Sequence, residues 1–262
     1  MDLTIASLKI GDRIVLGKYG TPENAPEPIV WLKADRDGSL LSEKVLDYLQ
    51  IDAPERTNDP YHRNRGNNCY ALSNIHQFLN SYEEDWYLPT HDGDVPPASR
   101  DYRHSGAYRD YDGFLCAFED YEIEAIGQKV NLPSFANIYG QGGQSRFELF
   151  KRRGVRPKAS NGFLYSNGSR WFGLNETSFC EFWLSDEDGE YYNKYVDKSG
   201  YTRSAYPHNP KGIRPVCKIS LDTKVAQNED GTYSIVPFEP TKKRDSNVCT
   251  DEELMAFMGL TV

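Results

Sequence analysis

Two apolar stretches frame one region of the chain: Phe182-Trp183-Leu184-Ser185 and Gly212-Ile213-Arg214-Pro215-Val216. Large apolar side chains dominate both stretches, which predicts two buried strands. The region between them is rich in Tyr, Asp, Glu and Asn and almost free of aliphatic residues, so it cannot form a core. This pattern predicts a rigid frame that displays a polar, aromatic surface. A solvated hairpin with ordinary surface tyrosines is an equally good interpretation.

The framed region contains the candidate binding residues. Tyr offers a large contact area at low conformational entropy cost, together with a hydroxyl group that forms hydrogen bonds. Because side chains alternate along a strand, we expect about half of the candidates to point outward. The predicted ligand-binding residues are Tyr191, Tyr192, Tyr195, Tyr201, Arg203, Tyr206, His208 and Asn209.

Three further residues are predicted to be structural: Trp31, Trp183 and Arg214. We expect Trp183 to be buried in the core. An unpaired buried charge is energetically costly, so we expect carboxylates or backbone carbonyls to hold the guanidinium group of Arg214.

Composition excludes several function classes. A length of 262 residues with 38% hydrophobic residues suits one large domain or two small ones. The net charge of −9 argues against a nucleic-acid-binding surface and against an anionic membrane partner. The N-terminus has no basic segment followed by an apolar one, and no apolar run is long enough to span a membrane. We therefore expect synthesis in a cytoplasm without a signal peptide and no membrane insertion.

The first half of the chain predicts a β-meander followed by short helices. Strands are expected over residues 10–17, 29–34 and 39–42, and a helix capped by Ser42 over residues 42–49. Apolar residues at helical spacing predict a second helix over residues 71–80.

Long polar segments interrupt the rest of the chain. Residues 52–68 and 86–112 are expected to be insertions, and most of the second one is expected to be an exposed loop. A helix or a broken helix is predicted over residues 114–126, and a strand over residues 128–132. A short amphipathic helix is predicted over residues 146–153.

The C-terminal part predicts a single domain over residues 1–236, followed by a linker and a short helix over residues 237–262. The helix, over residues 251–258, has an acidic first turn and an apolar face. A helix this short is marginal alone in water, so it has to dock. We favour docking on a partner, for example a second copy of the chain.

Five short motifs occur in a characteristic order: Ile29 to Leu32, Leu40 to Ser42, Phe78 to Asn80, Phe182 to Ser185, and Gly212 to Val216. With these motifs the chain resembles a family of uncharacterised domains found in bacteria and their phages. The resemblance implies an α+β, C-type-lectin-like fold of the formylglycine-generating-enzyme type, with mixed antiparallel β-structure, short helices and long loops. The sequence departs from the family pattern at Ser185, where Arg usually precedes the Ser.

The same fold type occurs in phage variable tropism proteins, which display diversified residues just before a C-terminal strand. The resemblance therefore implies a non-catalytic ligand-recognition domain, either a phage structural protein or a host-adsorption (receptor-binding) virion protein. The expected partner is a protein or glycan on a host surface, or another virion protein. Release within a virion needs no signal peptide. An intracellular phage protein that sequesters a host factor is an alternative.

A degenerate formylglycine-generating-type metalloenzyme is the other alternative. That branch requires two neighbouring copper-binding cysteines, and the widely spaced cysteines lack this pattern: Cys69, Cys116, Cys180, Cys217 and Cys249. Cys180 and Cys217 nevertheless flank apolar strands that could lie side by side. A related branch uses three iron-binding histidines. The five histidines lack ligand spacing and are interpreted mostly as solvated loop residues: His62, His76, His91, His104 and His208.

Calcium is the one cofactor that the pattern leaves open. Asp186 and Asp188 lie in an acidic run and offer the hard oxygen ligands that calcium prefers. Acidic loops are more often simply solvated, so the sequence predicts no cofactor other than this calcium alternative.

Overall fold

The computed structural model describes residues 3–22, 24–55, 65–98, 106–127, 129–141, 146–151 and 180–241. The C-terminal helix predicted over residues 251–258 lies outside the described residues, as do His62, His104 and Cys249.

The described chain is mostly β-structure. In chain order, the strands are β1 (Arg13–Thr21), β2 (Asn24–Lys33), β3 (Ser39–Ser42), β4 (Asp47–Leu49), β5 (Val130–Asn131), β6 (Phe182–Asp188), β7 (Tyr192–Val196), β8 (Thr202–Ala205), β9 (Lys211–Ile213), β10 (Val216–Lys218), β11 (Val225–Gln227) and β12 (Tyr233–Ile235). Short α-helices and 3₁₀ segments connect them, so the fold is of the mixed α+β class, as predicted.

Two sheets organise the strands. The first has the order β11-β12-β1-β2-β3-β10-β5, and in it β12 pairs with β1 in parallel. The antiparallel β1-β2-β3 meander confirms the prediction for the N-terminal region. The second sheet has the order β4-β9-β6-β7-β8, and β6 and β9 are the two strands that the apolar frame predicts.

The helices are short, and local side chains cap two of them. They are α1 (Asn74–Asn80), α2 (Asp120–Ala125) and α3 (Phe135–Tyr139), with 3₁₀ segments at Ile5–Ser7, Tyr70–Leu72, Phe114–Ala117 and Glu148–Phe150. The Ser73 side chain accepts a hydrogen bond from the backbone of His76, and that of Ser134 accepts one from Asn137. The helix predicted over residues 71–80 is therefore present in its second part, and the broken helix over residues 114–126 is present as two pieces.

One hydrophobic cluster joins the two sheets and contains both tryptophans that are predicted to be structural. Trp31 and Trp183 are fully buried. Their indole N–H groups donate to the backbone carbonyls of Leu16 at 2.8 Å and Leu49 at 3.0 Å. Each ring therefore packs in the core while its only polar atom is satisfied, which is the usual requirement for a buried Trp.

Arg214 lies where the chain crosses from β9 in one sheet to β10 in the other. It is 2% exposed, and its Nε donates to the backbone carbonyl of Ser42 at 3.0 Å. Its guanidinium carbon lies 5.3 Å from the centre of the Phe182 ring. These contacts match the expectation that backbone carbonyls hold the charge. A Cβ atom at Gly212 would lie only 2.3 Å from the carbonyl oxygen of Glu181, so this crossing requires glycine.

The predicted helix over residues 42–49 is wrong. The segment instead ends in β4, which pairs with β9 through Asp47 and Ile213. Ser42 does not cap a helix, because its hydroxyl donates to the carbonyl of Lys44. Pairing with the frame strand satisfies the backbone of residues 47–49 and overrides the local helical preference.

The prediction of an exposed loop over residues 86–109 is also wrong at both described ends. Trp86 and Tyr108 are buried, and their rings stack at 5.3 Å with an angle of 12° between the planes. The Phe78 ring meets both of them edge-on at 5.5 Å and 5.0 Å. The segment thus supplies aromatic side chains to the core next to α1, although it has little regular structure.

Contacts with the domain continue past β12. The ring of Phe238 packs edge-on against Tyr121 at 5.9 Å, and the backbone N–H of Thr241 donates to Glu124 at 2.7 Å. The start of the predicted linker is therefore attached to α2. Among the described residues, none of the helices has the length and apolar character needed to cross a membrane.

Candidate functional site

The framed region folds as an antiparallel extension of the second sheet. β6 pairs with β7, and β7 pairs with β8, with Asn193 opposite Ala205 and Tyr195 opposite Arg203. β8 is the last strand of this sheet among the described residues. The register determines which predicted binding residues share a face, because side chains alternate along each strand.

Three aromatic residues stack in a row at one end of β7 and β8. The rings of Tyr192 and Tyr206 lie 4.6 Å apart with 25° between their planes, and their hydroxyl groups are hydrogen-bonded at 3.1 Å. The ring of His208 stacks on Tyr206 at 5.7 Å with 9° between the planes. Tyr191 meets Tyr192 edge-on at 6.3 Å. Four of the eight predicted binding residues therefore come together.

Arg65 completes this group from a distant part of the sequence. Its guanidinium carbon lies 4.5 Å from the ring centre of Tyr191 and 5.3 Å from that of Tyr206, which are cation–π distances. The Nδ1 atom of His208 lies 2.8 Å from the backbone carbonyl of Arg65. We call Arg65, Tyr191, Tyr192, Tyr206 and His208 the aromatic–arginine cluster.

The four side chains of this cluster on the framed region are half-buried. The hydrogen bond that the Tyr192 hydroxyl donates to Tyr206 raises the pKa of the Tyr192 phenol. The cluster therefore offers stacked ring faces, two phenolic hydroxyls and one guanidinium group. Such a combination binds planar or hydroxyl-bearing ligand groups with favourable contact area and directional hydrogen bonds.

The other four predicted binding residues lie apart from the cluster. Tyr195 is on the opposite face of β7 from Tyr192. Its ring meets that of Trp183 edge-on, with 6.0 Å between the ring centres, and the Lys211 ammonium nitrogen lies 4.7 Å from its ring centre. Arg203 forms an ion pair with Asp197 at 3.2 Å, and Tyr201 is 50% exposed. The half-buried residue Asn209 forms a turn with Tyr206 through its backbone N–H.

The two calcium candidates are bound to different elements. Asp186 accepts a hydrogen bond from the backbone N–H of Phe135, the first residue of α3. Asp188 accepts one from the Ser204 hydroxyl and lies 3.6 Å from the Lys194 ammonium group. Both carboxylates thus hold neighbouring elements of the fold.

A second group of polar side chains involves the segment that follows β4. One ligand atom each from Asp52, Glu55 and His91 falls within 4.8 Å of the other two, and the two acids are buried. The Nε2 atom of His91 lies 2.6 Å from Oε1 of Glu55. We call these three residues the carboxylate–histidine site.

Backbone groups hold Asp52 in place within this site. Its carboxylate accepts from the backbone N–H of Asn67 at 2.7 Å and from that of Asn74 at 2.9 Å. Burial raises the pKa of Asp52 well above its usual value, and the charges of Asp94 and Glu55 raise it further. The hydrogen bond with Glu55 raises the pKa of His91. Burial and the neighbouring charges therefore favour the protonated forms of Asp52 and His91.

The carboxylate–histidine site and the aromatic–arginine cluster share the segment over residues 65–68. The backbone N–H of Asn67 donates to the Asp52 carboxylate. The side-chain amide of Asn68 donates to the carbonyl of Gly189 at 3.0 Å, and the backbone carbonyl of Asn68 accepts from the side-chain amide of Asn193 at 2.8 Å. A Cβ atom at Gly66 would lie 2.8 Å from the carbonyl oxygen of Asp52, so the two segments pack closely there. The position of Arg65 thus depends on both ends of this connection.

Sequence reasoning missed Arg65, Asp52, Glu55 and His91. All four lie in the segments that the sequence predicts to be polar insertions, and the pattern predicts a solvated His91. His76 is half-buried, and desolvation lowers its pKa. The combination of two acids at residues 52 and 55 with a distant histidine gave no local signal, since nothing in the spacing links residue 55 to residue 91.

Cys180 and Cys217 are both buried thiols, but they pack in different hydrophobic clusters. The prediction that they could be neighbours is wrong, because the two side chains belong to separate groups of contacting core residues.

Comparisons with protein-family models, with curated proteins and with solved structures returned no match to this chain.

Proposed function

We propose that this chain is a non-catalytic ligand-recognition domain of a phage structural or host-adsorption protein. Its binding surface is the aromatic–arginine cluster, and its ligand is a protein or glycan on a host cell surface. The single observation that carries the proposal is the convergence of Tyr191, Tyr192, Tyr206 and His208 with Arg65 at one end of the β7–β8 hairpin.

The chemistry of the cluster supports recognition. Tyr and Arg are enriched among the interface residues that contribute most to affinity, and Trp is the third such type. Stacking and cation–π contacts already hold the Tyr206 ring between Tyr192, His208 and Arg65. A ligand that contacts this ring therefore has to order few additional rotamers, which reduces the entropic penalty of binding.

The proposal includes a C-type-lectin-like fold of the formylglycine-generating-enzyme type. All five motifs of the resemblance lie within the described residues and contribute buried side chains: Trp31 in β2, Leu41 in β3, Phe78 in α1, Trp183 in β6 and Ile213 in β9. The motif residues thus form the core, and the hairpin between the last two motifs carries the contact residues. This division supports a scaffold that displays a variable binding surface.

Binding of the fluorescently labelled, purified chain to a panel of intact bacterial strains tests this function. We expect saturable binding to a subset of strains. Protease treatment of the cells should abolish it if the ligand is a protein, and periodate oxidation should abolish it if the ligand is a glycan. Absence of saturable binding across the panel contradicts host-surface recognition.

Matched variants test the assigned surface in the same assay. Tyr206→Ala and Arg65→Ala should weaken binding, whereas Tyr201→Ala removes an exposed tyrosine outside the cluster and should leave it unchanged. Tyr206→Phe retains the ring and loses only the hydrogen bond with Tyr192, so its effect should be smaller than that of Tyr206→Ala. Unchanged melting temperatures show that the variants fold.

A further inference from the structure

The short contact between His91 and Glu55 leaves room for either a proton or a metal ion between the two side chains. The Thr90 hydroxyl donates its proton to the carbonyl of Leu72 at 2.6 Å, so it accepts a hydrogen bond from Nδ1–H of His91 at 2.9 Å. The other ring nitrogen, Nε2, then presents its lone pair to the Glu55 carboxylate at 2.6 Å. Two acceptors at this distance repel each other unless a proton or a metal ion lies between them.

The surroundings make the negative charge of the site expensive. Asp52 and Glu55 are 0% and 1% exposed. Asp94 adds a further carboxylate through the side-chain amide of Asn74, at 3.0 Å. Among the described residues, neither Asp52 nor Asp94 forms an ion pair with a Lys or Arg. Buried carboxylates are normally paired or coordinate a metal ion.

We propose that Asp52, Glu55 and His91 bind a divalent first-row transition-metal ion, Zn²⁺ or Mn²⁺. The ion replaces the proton between His91 and Glu55, and that proton leaves to solvent. An imidazole nitrogen beside two carboxylates suits these ions and disfavours Ca²⁺, which takes oxygen ligands. Zinc–ligand bonds are about 2.1 Å long, so two donors of one ion lie at most about 4.2 Å apart. The three donors already lie within 4.8 Å of one another, and small side-chain adjustments close the site.

Neighbouring hydrogen bonds orient the ligands in the way that metal sites require. Metal-binding histidines usually donate their second N–H to a fixed acceptor, which selects the tautomer and holds the ring. Thr90 has this role for His91, and the backbone N–H groups of Asn67 and Asn74 hold Asp52. Thr90 is thus a positioning residue and not a ligand.

The bound ion would also stabilise the segment that carries Arg65. Asn67 connects Asp52 to residues 65–68, and Asn68 connects the same segment to the turn before β7. Metal binding therefore orders residues 65–68, the segment that places Arg65 in the aromatic–arginine cluster. This consequence depends on the proposed function, whereas metal binding itself does not.

Calorimetric titration of the full, chelator-stripped chain with ZnCl₂ and MnCl₂ tests the site. We expect one ion per chain and, at about a hundredfold excess over Kd, a melting temperature raised by about 5–10 °C. Losing a direct ligand reduces metal affinity more than losing an outer-shell partner does. Asp52→Asn and His91→Gln each remove a direct ligand, so both should weaken binding at least about a hundredfold. Asp188→Asn is the matched control, since it neutralises a carboxylate outside the site and should bind the ion normally.

Two further measurements keep the test decisive if a ligand variant folds poorly. Thr90→Val should weaken binding about 10–100-fold, whereas Thr90→Ser keeps the hydroxyl and should bind like the wild type. Co²⁺ bound to the wild type should show visible absorption bands that shift on the change His91→Gln. Stoichiometric binding of Ca²⁺ in preference to Zn²⁺ and Mn²⁺, absence of binding to the wild type, or equal binding by Asp52→Asn and Asp188→Asn overturns the proposal. Metal binding without cell binding would contradict only the proposed function.

Discussion

Replacing Asp47 with Asn should change how the stability of the protein depends on pH. Asp47 lies at the start of β4, is 4% exposed, and accepts hydrogen bonds from the hydroxyl of Tyr19 at 3.1 Å and from the backbone N–H of Tyr48 at 2.7 Å. These hydrogen bonds only partly offset the desolvation, which raises the pKa of Asp47 from 3.8 to about 6. The folded state therefore binds the proton more tightly than the unfolded state does.

The sign and size of the effect follow from this difference. The stabilising contribution of the protonated form is fully present below pH 3.8 and is lost as the pH rises through about 6. The loss amounts to about 3 kcal/mol in the free energy of unfolding. Asn resembles the protonated side chain and carries no charge at any pH. Relative to the wild type, Asp47→Asn should therefore gain about 3 kcal/mol of stability between about pH 4 and pH 8.

Urea denaturation of both proteins at intervals from about pH 4 to pH 8 measures this gain. Asp230→Asn is a control of opposite sign, because hydrogen bonds from Thr232 lower the pKa of Asp230. The contribution of Asp230 is present above its unfolded pKa and disappears as the pH falls, so its replacement should destabilise the protein at neutral pH. Parallel stability curves for the wild type and Asp47→Asn across this range would refute the assignment of a buried, destabilising charge.

Three further changes test the scaffold and the tail. Trp183→Ala should lower the free energy of unfolding by about 3–5 kcal/mol in urea denaturation, and a melting temperature within about 2 °C of the wild type would show that Trp183 is not in the core. Gly212→Ala should destabilise by about 1–3 kcal/mol, because the new Cβ meets the carbonyl of Glu181; no loss would show that the β9–β6 contact is looser than described. Deletion of residues 242–262 should leave melting unchanged and reduce self-association in size-exclusion chromatography, because we expect the predicted tail helix to dock on a partner; a large drop in the monomer melting temperature would place it on its own domain.

The parts of the fold that were predictable are those with a strong local pattern. The β1-β2-β3 meander has alternating apolar residues and a tight turn, and the apolar frame around Trp183 and Ile213 reports burial directly. The helix α1 carries apolar residues at helical spacing and a Ser cap. In these segments local preference and tertiary environment favour the same structure, so the sequence alone is sufficient.

The errors occurred where distant contacts decide the structure. Residues 47–49 become β4 because β9, more than 160 positions later, offers a pairing partner. Trp86 and Tyr108 enter the core through stacking on each other across a segment that is rich in turn-forming residues. No local pattern reports either contact.

The candidate site was half predictable for the same reason. The chemistry of the framed region indicated Tyr191, Tyr192, Tyr206 and His208, which lie close together in sequence. Arg65 reaches them from a distant segment that is held there in part by the hydrogen bonds of Asn67 and Asn68. The carboxylate–histidine site is wholly a product of tertiary structure.

The most direct test of the central claim is the apparent affinity of Tyr206→Ala for the bacterial strain that the wild type binds best, measured beside Tyr201→Ala. If the aromatic–arginine cluster is the recognition surface, Tyr206 is a residue of the kind whose truncation costs at least about 2 kcal/mol, or about 30-fold in affinity. Tyr201→Ala should bind as the wild type does. Equal affinity of the wild type and a correctly folded Tyr206→Ala would contradict the claim and place the binding surface elsewhere on the protein.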